Sequence, residues 1–203
     1  MSRTLLQICL SAVTTALLAP TPVLAWGNLG HETVGEIAEQ ILSRDTEAKQ
    51  ALVRIMGVEP LATSSVWPDE VRSDDRFKDF APYHFVNIAE DGHSHDEKNA
   101  ITILTKYPGL FRNKTVARSQ KIIALRYLAH VIGDIHQPLH VASAADFGGN
   151  ACKVRIQLDP KVDATLTNLH KAWDNDVVSY IANKLALKSS ARKEHSYKNL
   201  AEA

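Results

Sequence analysis

Cysteine is scarce in this sequence, because only Cys9 and Cys152 occur among its 203 residues. We expect Cys9 to be lost with an N-terminal export segment, so the remaining chain has one thiol and cannot form an internal disulfide. This excludes the small secreted domains that depend on disulfide bonds for stability. An exported chain without such bonds must be stabilised by its hydrophobic core or by bound metal.

An excess of charge of either sign is also absent. Lysine plus arginine and aspartate plus glutamate each number 23, so the formal net charge is zero. No overall field attracts a polyanion, and any affinity for nucleic acid must come from a local site. With 45% hydrophobic and 23% charged residues and no repeat or low-complexity segment, the sequence predicts one globular domain.

The first 25 residues differ from the rest of the chain. Their only charged residue is Arg3, which is followed by an apolar run and then by Val23-Leu24-Ala25. This pattern predicts a signal peptide over residues 1–25, cleaved after Ala25, and a periplasmic or secreted protein. The alternative is an uncleaved membrane anchor, which the prolines at positions 20 and 22 disfavour because they interrupt a continuous helix.

Apolar residues at spacings of three and four predict a mainly α-helical domain over residues 26–187. A short hairpin near 147–158, with Gly148-Gly149 as its turn, is the one exception to the helical pattern. Residues 61–95 are rich in turn formers, and residues 188–203 are predicted as a polar tail. Helices are predicted over 31–57 as a pair broken near 43–45, and over 97–106, 119–134 and 166–187.

Two histidine–carboxylate pairs have helical i, i+4 spacing: His130 with Asp134, and His170 with Asp174. Each pair projects from one face of a helix and can bind a single metal ion. His140 follows a helix-ending proline and can fold back towards the same region. One such pair alone is more often a surface salt bridge, but two pairs with a further histidine favour metal. Imidazole with carboxylate suits zinc better than calcium or magnesium.

The fragment "WGNLGH" adds Trp26, the first residue after the predicted cleavage, and His31. A freed α-amino group has a pKa of about 7.7–8.0, so metal can displace its proton near neutral pH. The alternative is a tryptophan that only packs against the domain. "WPDEVR" and "YHFVN" supply Asp69 and His84 from irregular segments.

The motifs "WGNLGH", "WPDEVR", "YHFVN", "HVIGDIHQPLH", "GGN" and "NLHKAWD" occur in this order from Trp26 to Asp174. In this they resemble the zinc-dependent single-strand nucleases and 3′-nucleotidases of fungi, plants and bacteria. The resemblance implies an all-α fold shared with zinc-dependent bacterial phospholipase C. Family members usually continue through several more helices, so the domain is expected to be shortened at its C-terminus.

The resemblance also implies three zinc ions. One would bind Asp69, His84, His130 and Asp134. A second would bind Trp26 through its amine and carbonyl, His31, and Asp134 as a bridging ligand. The third would bind His140, His170 and Asp174.

Further roles follow from the same resemblance. Asp69 and Asp134 belong to the catalytic set with Arg72, which would stabilise charge on the phosphate, and Asn150, whose amide would face it. Phe85 would stack on an unpaired base, and Asn87 stands where some fungal members have an aspartate that binds the base. The remaining histidines 93, 95, 136 and 195 and the tryptophans 67 and 173 are interpreted as solvated, supporting or packing residues.

The function implied is a secreted zinc-dependent endonuclease that hydrolyses single-stranded RNA and DNA to 5′-phosphorylated products, with 3′-nucleotidase activity. Its substrate would be single-stranded nucleic acid or a 3′-nucleotide. We expect a monomer with no stable protein partner and no membrane contact after signal cleavage. The alternatives are a zinc-dependent phospholipase C and a non-catalytic zinc-binding remnant.

Overall fold

The computed structural model describes residues 26–188 and 196–203, and the predicted signal peptide lies outside the described residues. The described chain is mainly helical, which confirms the predicted fold class. Its α-helices are α1 (Asn28–Leu42), α2 (Thr46–Met56), α3 (Leu61–Ser64), α4 (Trp67–Glu70), α5 (Ala100–Lys106), α6 (Pro108–Arg112), α7 (Arg118–Ile135), α8 (Leu169–Lys171), α9 (Val178–Lys188) and α10 (Ser196–Ala201). Short 3-10 helices cover Lys78–His84, Pro138–His140 and Ala144–Asp146, and a π-helix covers Ala172–Val177.

The predicted break between the first two helices is confirmed, and local chemistry explains it. Asp45 begins α2 by accepting a hydrogen bond from the backbone N–H of Ala48 at 2.9 Å. Such a cap satisfies one of the N–H groups that a helix leaves open at its start. Gly57 ends α2 with a φ of 72°, a left-handed conformation that favours glycine.

Helix α7 runs through the centre of the fold and differs by only one residue at each end from the predicted 119–134. One face of it supplies Tyr127 and Val131 to a core that also contains Val86, Ala100 and Ile103, all at most 5% exposed. The same buried stretch continues to His130 and Asp134, so the core helix also presents polar side chains. Core packing therefore determines where these polar groups lie.

Two small sheets accompany the helices. Strand β1 (Val86–Ile88) pairs in parallel with β2 (Val141–Ser143), which brings the segment after His84 beside the segment after His140. Strand β3 (Lys153–Ile156) pairs antiparallel with β4 (Thr165–Asn168).

Two predictions about this region are wrong in detail. The partner of β3 lies beyond residue 158, so Gly148-Gly149 is not the hairpin turn. The predicted helix over 166–187 begins as strand β4 and passes through α8 and the π-helix before α9. Pairing with β3 satisfies backbone groups that a helix would satisfy internally, and this pairing is not visible in local spacing.

Close approach of α1 to α3 depends on Gly35, where a Cβ atom would overlap the carbonyl of Leu61. The short helix α10 packs against α1. The sequence indicated only a polar tail there. Among the described residues, no helix is both long and apolar enough to cross a membrane.

The core predicts a contrast between two isoleucines of α5. Ile103 is fully buried and Ile101 is 47% exposed. Ile103→Ala should lower the free energy of unfolding by about 2–5 kcal/mol, because it leaves a cavity beside α7. Ile101→Ala should change it by less than about 0.5 kcal/mol. Chemical denaturation of both variants measures this, and equal losses would contradict the assigned core.

Candidate metal centre

Eight predicted side-chain ligands converge at one end of α7, and seven of them are classed as buried. Only Asp69 is slightly more open, with its side chain 6% exposed. We call two groups of these residues the Asp134 cluster and the His140 cluster. The Asp134 cluster consists of His31, Asp69, His84, His130 and Asp134, and the His140 cluster consists of His140, His170 and Asp174.

Asp134 is the centre of the first cluster. Its Oδ2 lies 3.2 Å from Nε2 of His130 and 3.3 Å from Nδ1 of His84. Its Oδ1 lies 3.4 Å from Nε2 of His31. The two oxygens thus face ligand nitrogens on two sides, as a carboxylate between two closely spaced cations would.

Asp69 completes this cluster from α4. Its carboxylate oxygens lie 3.6 Å from His84 Nδ1, 3.7 Å from His130 Nε2 and 3.9 Å from His31 Nε2. Ligand atoms lie within 4.8 Å of one another in two overlapping groups, His31–His130–Asp134 and Asp69–His84–His130. His130 is common to both groups, so the assignment of each ligand to one ion stays a prediction.

Backbone carbonyls set the orientation of the imidazoles. The Nδ1–H of His130 donates to the carbonyl of Ser65 at 2.7 Å, which leaves Nε2 to face Asp134. The Ser65 hydroxyl donates to the carbonyl of His31 at 2.7 Å, and the rings of His31 and His130 stack with centroids 3.8 Å apart. Such outer hydrogen bonds fix the tautomer and direction of a metal-binding histidine.

The His140 cluster is built on the same principle. The Nδ1–H of His140 donates to the carbonyl of His84, and that of His170 donates to the carbonyl of Gly148, each at 2.7 Å. Gly148 has a φ of 59°, and a Cβ there would overlap the carbonyl of Leu139, so glycine allows this loop to pack closely. His170 Nε2 lies 3.2 Å from Oδ2 of Asp174.

The two Nε2 atoms of His140 and His170 lie only 3.1 Å apart. Because both Nδ1 atoms carry the proton, both Nε2 atoms present lone pairs in the neutral rings. Two lone pairs at this distance repel unless a cation or a proton lies between them. The donor set therefore fits a metal ion.

Unsatisfied polar atoms support the same conclusion for the Asp134 cluster. Both carboxylate oxygens of Asp134, both ring nitrogens of His31 and Oδ1 of Asp69 are buried without a hydrogen-bond partner of good geometry. An uncompensated buried charge is costly by several kcal/mol. A bound cation would satisfy this set, and nitrogen with carboxylate oxygen suits zinc.

Burial keeps several of the imidazoles neutral. It lowers the pKa of His31 well below its ordinary value, and it also lowers the pKa values of His84 and His140. The neutral ring is the form that binds metal.

The carboxylates respond to burial in different ways. Burial alone would raise the pKa of Asp134, but the attraction of His130 holds it well below its usual range. Burial raises the pKa values of Asp69 and Asp174. A bound cation would favour the ionised form of these two groups and reverse that shift.

A cavity of about 330 Å³ opens beside the His140 cluster. Arg72, Phe85 and Asn87, which the sequence assigned to substrate, line it together with His140 and His170. The pairing of β1 with β2 forms this wall, because Asn87 aligns with Ala142. The structure thus brings three predicted substrate residues and two predicted metal ligands to one cavity.

Two predicted residues have contacts that the sequence did not reveal. Asn150 does not line this cavity, and its side-chain amide donates to the carbonyl of Phe147 at 2.9 Å. The predicted contact of Asn150 with phosphate stays a prediction. The amide of Asn87 donates to Asp96 at 2.9 Å, which restrains its orientation.

Trp26 lies next to the centre, although its backbone ligation stays a prediction. Its indole N–H donates to the carbonyl of Gly133 at 2.8 Å, one residue before Asp134. The other two tryptophans were both interpreted as packing residues, but the structure supports this for only one of them. Trp67 packs against the core, whereas Trp173 is 40% exposed.

Three described histidines outside the two clusters are solvated, which for His136 differs from the supporting or packing role interpreted from the sequence. His93, His95 and His136 are exposed, and His136 donates from Nδ1 to the carbonyl of Ile132. His195 lies outside the described residues.

Gln137 is a site residue that sequence reasoning missed. It is fully buried, and its Nε2 donates to Oδ1 of Asp174 at 2.7 Å. Its Oε1 accepts from the backbone N–H of Leu139 at 2.6 Å. Gln137 therefore orients a predicted ligand of the His140 cluster. The available signal was its position between a histidine and the helix-ending proline of "HQPLH".

Comparison with known proteins shows the family to which the chain belongs. A family model described as S1/P1 Nuclease matches residues 26–203, so the chain belongs to the S1/P1 nuclease family. The family predicted from the motifs is confirmed.

Individual relatives come from fungi and plants. The chain is 31% identical to Nuclease S1 of Aspergillus oryzae over 189 residues, which cover 88% of this chain and 62% of that protein. It is 31% identical to Nuclease P1 of Penicillium citrinum over 171 residues, covering 79% and 59%. It is 31% identical to Endonuclease 4 of Arabidopsis thaliana over 173 residues, covering 76% and 56%. The chain thus spans about three fifths of the length of these relatives.

The central position of Asp134 predicts the metal content of one variant. Asp134→Asn should release at least one zinc ion per chain, because it removes the charge shared by the ligands on both sides. Elemental analysis of zinc-loaded protein measures this, with the exposed Asp163→Asn as the matched control. Equal zinc content in the variant and the wild type would contradict the shared role.

The two hydrogen bonds of Gln137 predict a smaller loss of metal affinity, in the His140 cluster, when this residue is replaced. Gln137→Leu keeps the side-chain size but removes both hydrogen bonds, and outer hydrogen bonds of this kind contribute about 10–100-fold to metal affinity. Competition between the protein and a chromophoric chelator should show this loss for one class of zinc site. The exposed Gln120→Leu should retain wild-type affinity, and an unchanged Gln137→Leu protein would refute the positioning role.

Proposed function

We propose that this chain is an exported zinc-dependent nuclease that hydrolyses single-stranded RNA and DNA to products with 5′-phosphates, and that it also acts on 3′-nucleotides. One observation carries the proposal: His140 and His170 line the same cavity as Arg72 and Phe85. A metal-binding cluster and groups suited to phosphate and base therefore meet in one place. The names of the relatives, Nuclease S1, Nuclease P1 and Endonuclease 4, support the same reaction class.

The ligands proposed for three zinc ions are the eight side chains of the two clusters, together with the amine and carbonyl of Trp26. Zinc bound there would supply Lewis acidity and lower the pKa of a bound water to about 7. Asp134 would join two of the sites because its oxygens face His31 on one side and His84 and His130 on the other.

Arg72 is the proposed anchor for the scissile phosphate. A guanidinium stays charged at any physiological pH, and its planar donors match two phosphate oxygens. From the cavity wall it would neutralise charge that develops on the phosphate during attack. His140 and His170 line the same wall, so the phosphate would lie between the arginine and the His140 cluster.

Phe85 and Asn87 are proposed to hold the base. Stacking on an aromatic ring needs an exposed base face, and a paired base in a duplex does not offer one. The cavity of about 330 Å³ lies within the size range of small-ligand sites and so suits a single unpaired base. The hydrogen bond from Asn87 to Asp96 would limit which edge of a base the amide can meet.

Export forms part of this proposal. Removal of residues 1–25 would make Trp26 the first residue and free its amine for metal. The position of its side chain against Gly133 supports this, because the backbone of Trp26 is then held near Asp134. The proposed mature protein is a periplasmic or secreted monomer that acts without a partner protein.

A digestion assay tests the proposed function. Zinc-loaded protein should degrade single-stranded RNA and DNA, spare duplex DNA, leave 5′-phosphates and lose activity with EDTA. Asp134→Asn should be inactive, and Asp163→Asn should match the wild type.

Two outcomes would overturn the proposal. Release of phosphocholine from lipid vesicles without nucleotide release would indicate a phospholipase C. Zinc binding without turnover of either substrate would indicate a non-catalytic protein.

A further inference from the structure

A second cavity, of about 370 Å³, lies between the C-terminal end of α2 and the start of α7. We call it the basic cavity, because its only charged lining residues are Arg54, Arg118 and Lys121. Its other walls are apolar or aromatic and include Ile55, Phe111 and Val116. Three positive charges with no carboxylate among them produce a local positive field on a chain whose net charge is zero.

These cations form no ion pair with a carboxylate in the described part of the chain. Arg118 donates from Nε to the carbonyl of Arg54 at 3.0 Å, and Lys121 donates to the carbonyl of Phe111 at 3.4 Å. By contrast, Arg126 pairs with Glu59 at 2.7 Å. The two neutral carbonyls orient the cationic side chains without neutralising them.

The start of α7 adds to this field. Its N-cap residue, Ala117, offers no side-chain hydrogen bond, so the first N–H groups of the helix are not capped by it. The partial positive charge of a helix N-terminus favours anions nearby. The local potential is therefore the sum of three full charges and this smaller contribution.

We propose that the basic cavity binds the phosphodiester backbone of single-stranded nucleic acid, at a distance from the metal centre. This inference rests on the proposed function, which supplies a strand as the substrate. Two guanidiniums and an ammonium are donors suited to phosphate oxygens, and Phe111 offers a ring on which an unpaired base can stack. Isolated phosphate would fill only a small part of a cavity of about 370 Å³.

The distance between the basic cavity and the metal centre determines how long a strand must be to contact both. At a rise of about 1.5 Å per residue, Lys121 lies about 20 Å from Asp134 along α7. A strand with the duplex spacing of about 3.4 Å per phosphate needs about six nucleotides to span this, and a more extended strand needs fewer. The basic cavity would therefore raise affinity for long strands and leave the shortest substrates unaffected.

The test compares two variants that remove the same charge. The first combines Arg54→Gln, Arg118→Gln and Lys121→Gln. The control combines Lys98→Gln, Lys106→Gln and Lys161→Gln, three exposed lysines elsewhere on the surface. Circular dichroism and zinc content establish that both are folded and loaded.

Steady-state kinetics of the zinc-loaded proteins give the first readout. For a 20-nucleotide single strand, the first variant should show KM raised at least tenfold with kcat unchanged. For a trinucleotide, all three proteins should have the same constants. A 20-nucleotide KM that matches the control would overturn the proposal, and so would an equal loss on the trinucleotide.

Binding gives an independent readout. In the Asp134→Asn background, which is expected to be inactive and therefore to leave the strand intact, fluorescence anisotropy measures the affinity for a labelled 20-nucleotide strand. This affinity should fall less steeply with salt once the three cations are removed. The slope of log affinity against log salt should fall by about 2, since each single-strand phosphate contact contributes about 0.7. An unchanged slope would overturn the proposal.

The two proposals can fail separately. If the wild type cleaves neither substrate, the proposed nuclease function fails, and the anisotropy arm still decides whether the basic cavity binds a strand. Equilibrium dialysis with inorganic phosphate tests whether the basic cavity binds free phosphate rather than the phosphates of a strand. Loss of phosphate binding with unchanged strand affinity would identify a free-anion site instead.

Discussion

The burial of Asp134 among imidazoles is the constraint on which the centre of this molecule depends. A carboxylate with no solvent exposure and no well-aligned donor is stable only if opposite charge lies beside it. His31, His84 and His130 surround it at 3.2–3.4 Å and come from three separate elements. Helices α1 and α7 and the 3-10 helix before β1 are therefore tied to one point. In a domain whose only described cysteine is unpaired, metal at this point would take the stabilising role of a disulfide.

Backbone carbonyls determine how the imidazole rings of the two clusters are oriented. The carbonyls of Ser65, His84 and Gly148 each accept an imidazole N–H at 2.7 Å, and each belongs to a turn or a segment end. Irregular segments thus direct ring nitrogens inwards, while the core helix supplies position. This division explains why residues 61–95, whose helices and strand are all short, are as important to the site as α7. Gln137 serves the same purpose with a side chain.

A neutral chain with the proposed activity on a polyanion needs its positive charge in particular places. Arg72 lines the cavity beside the His140 cluster, and three further cations line the basic cavity at the other end of α7. Metal ions in the centre would add the largest local charges. Recognition would then depend on a few sites rather than on the overall field, and strand length would decide how many of them act together.

The sequence alone determined the helical class, the α1–α2 break, the extent of α7 and the two i, i+4 ligand pairs, because helix periodicity is a local property. Its motifs also identified the family, and that resemblance assigned Asp69 and His84, which lack helical ligand spacing, to a predicted zinc site. Tertiary structure decided the rest. Strand pairing replaced the start of a predicted helix with β4, close packing buried Gln137 beside Asp174, and a local hydrogen bond turned Asn150 to its own loop. These outcomes depend on contacts between residues distant in the chain or on the conformation of one turn, and neither is encoded in spacing.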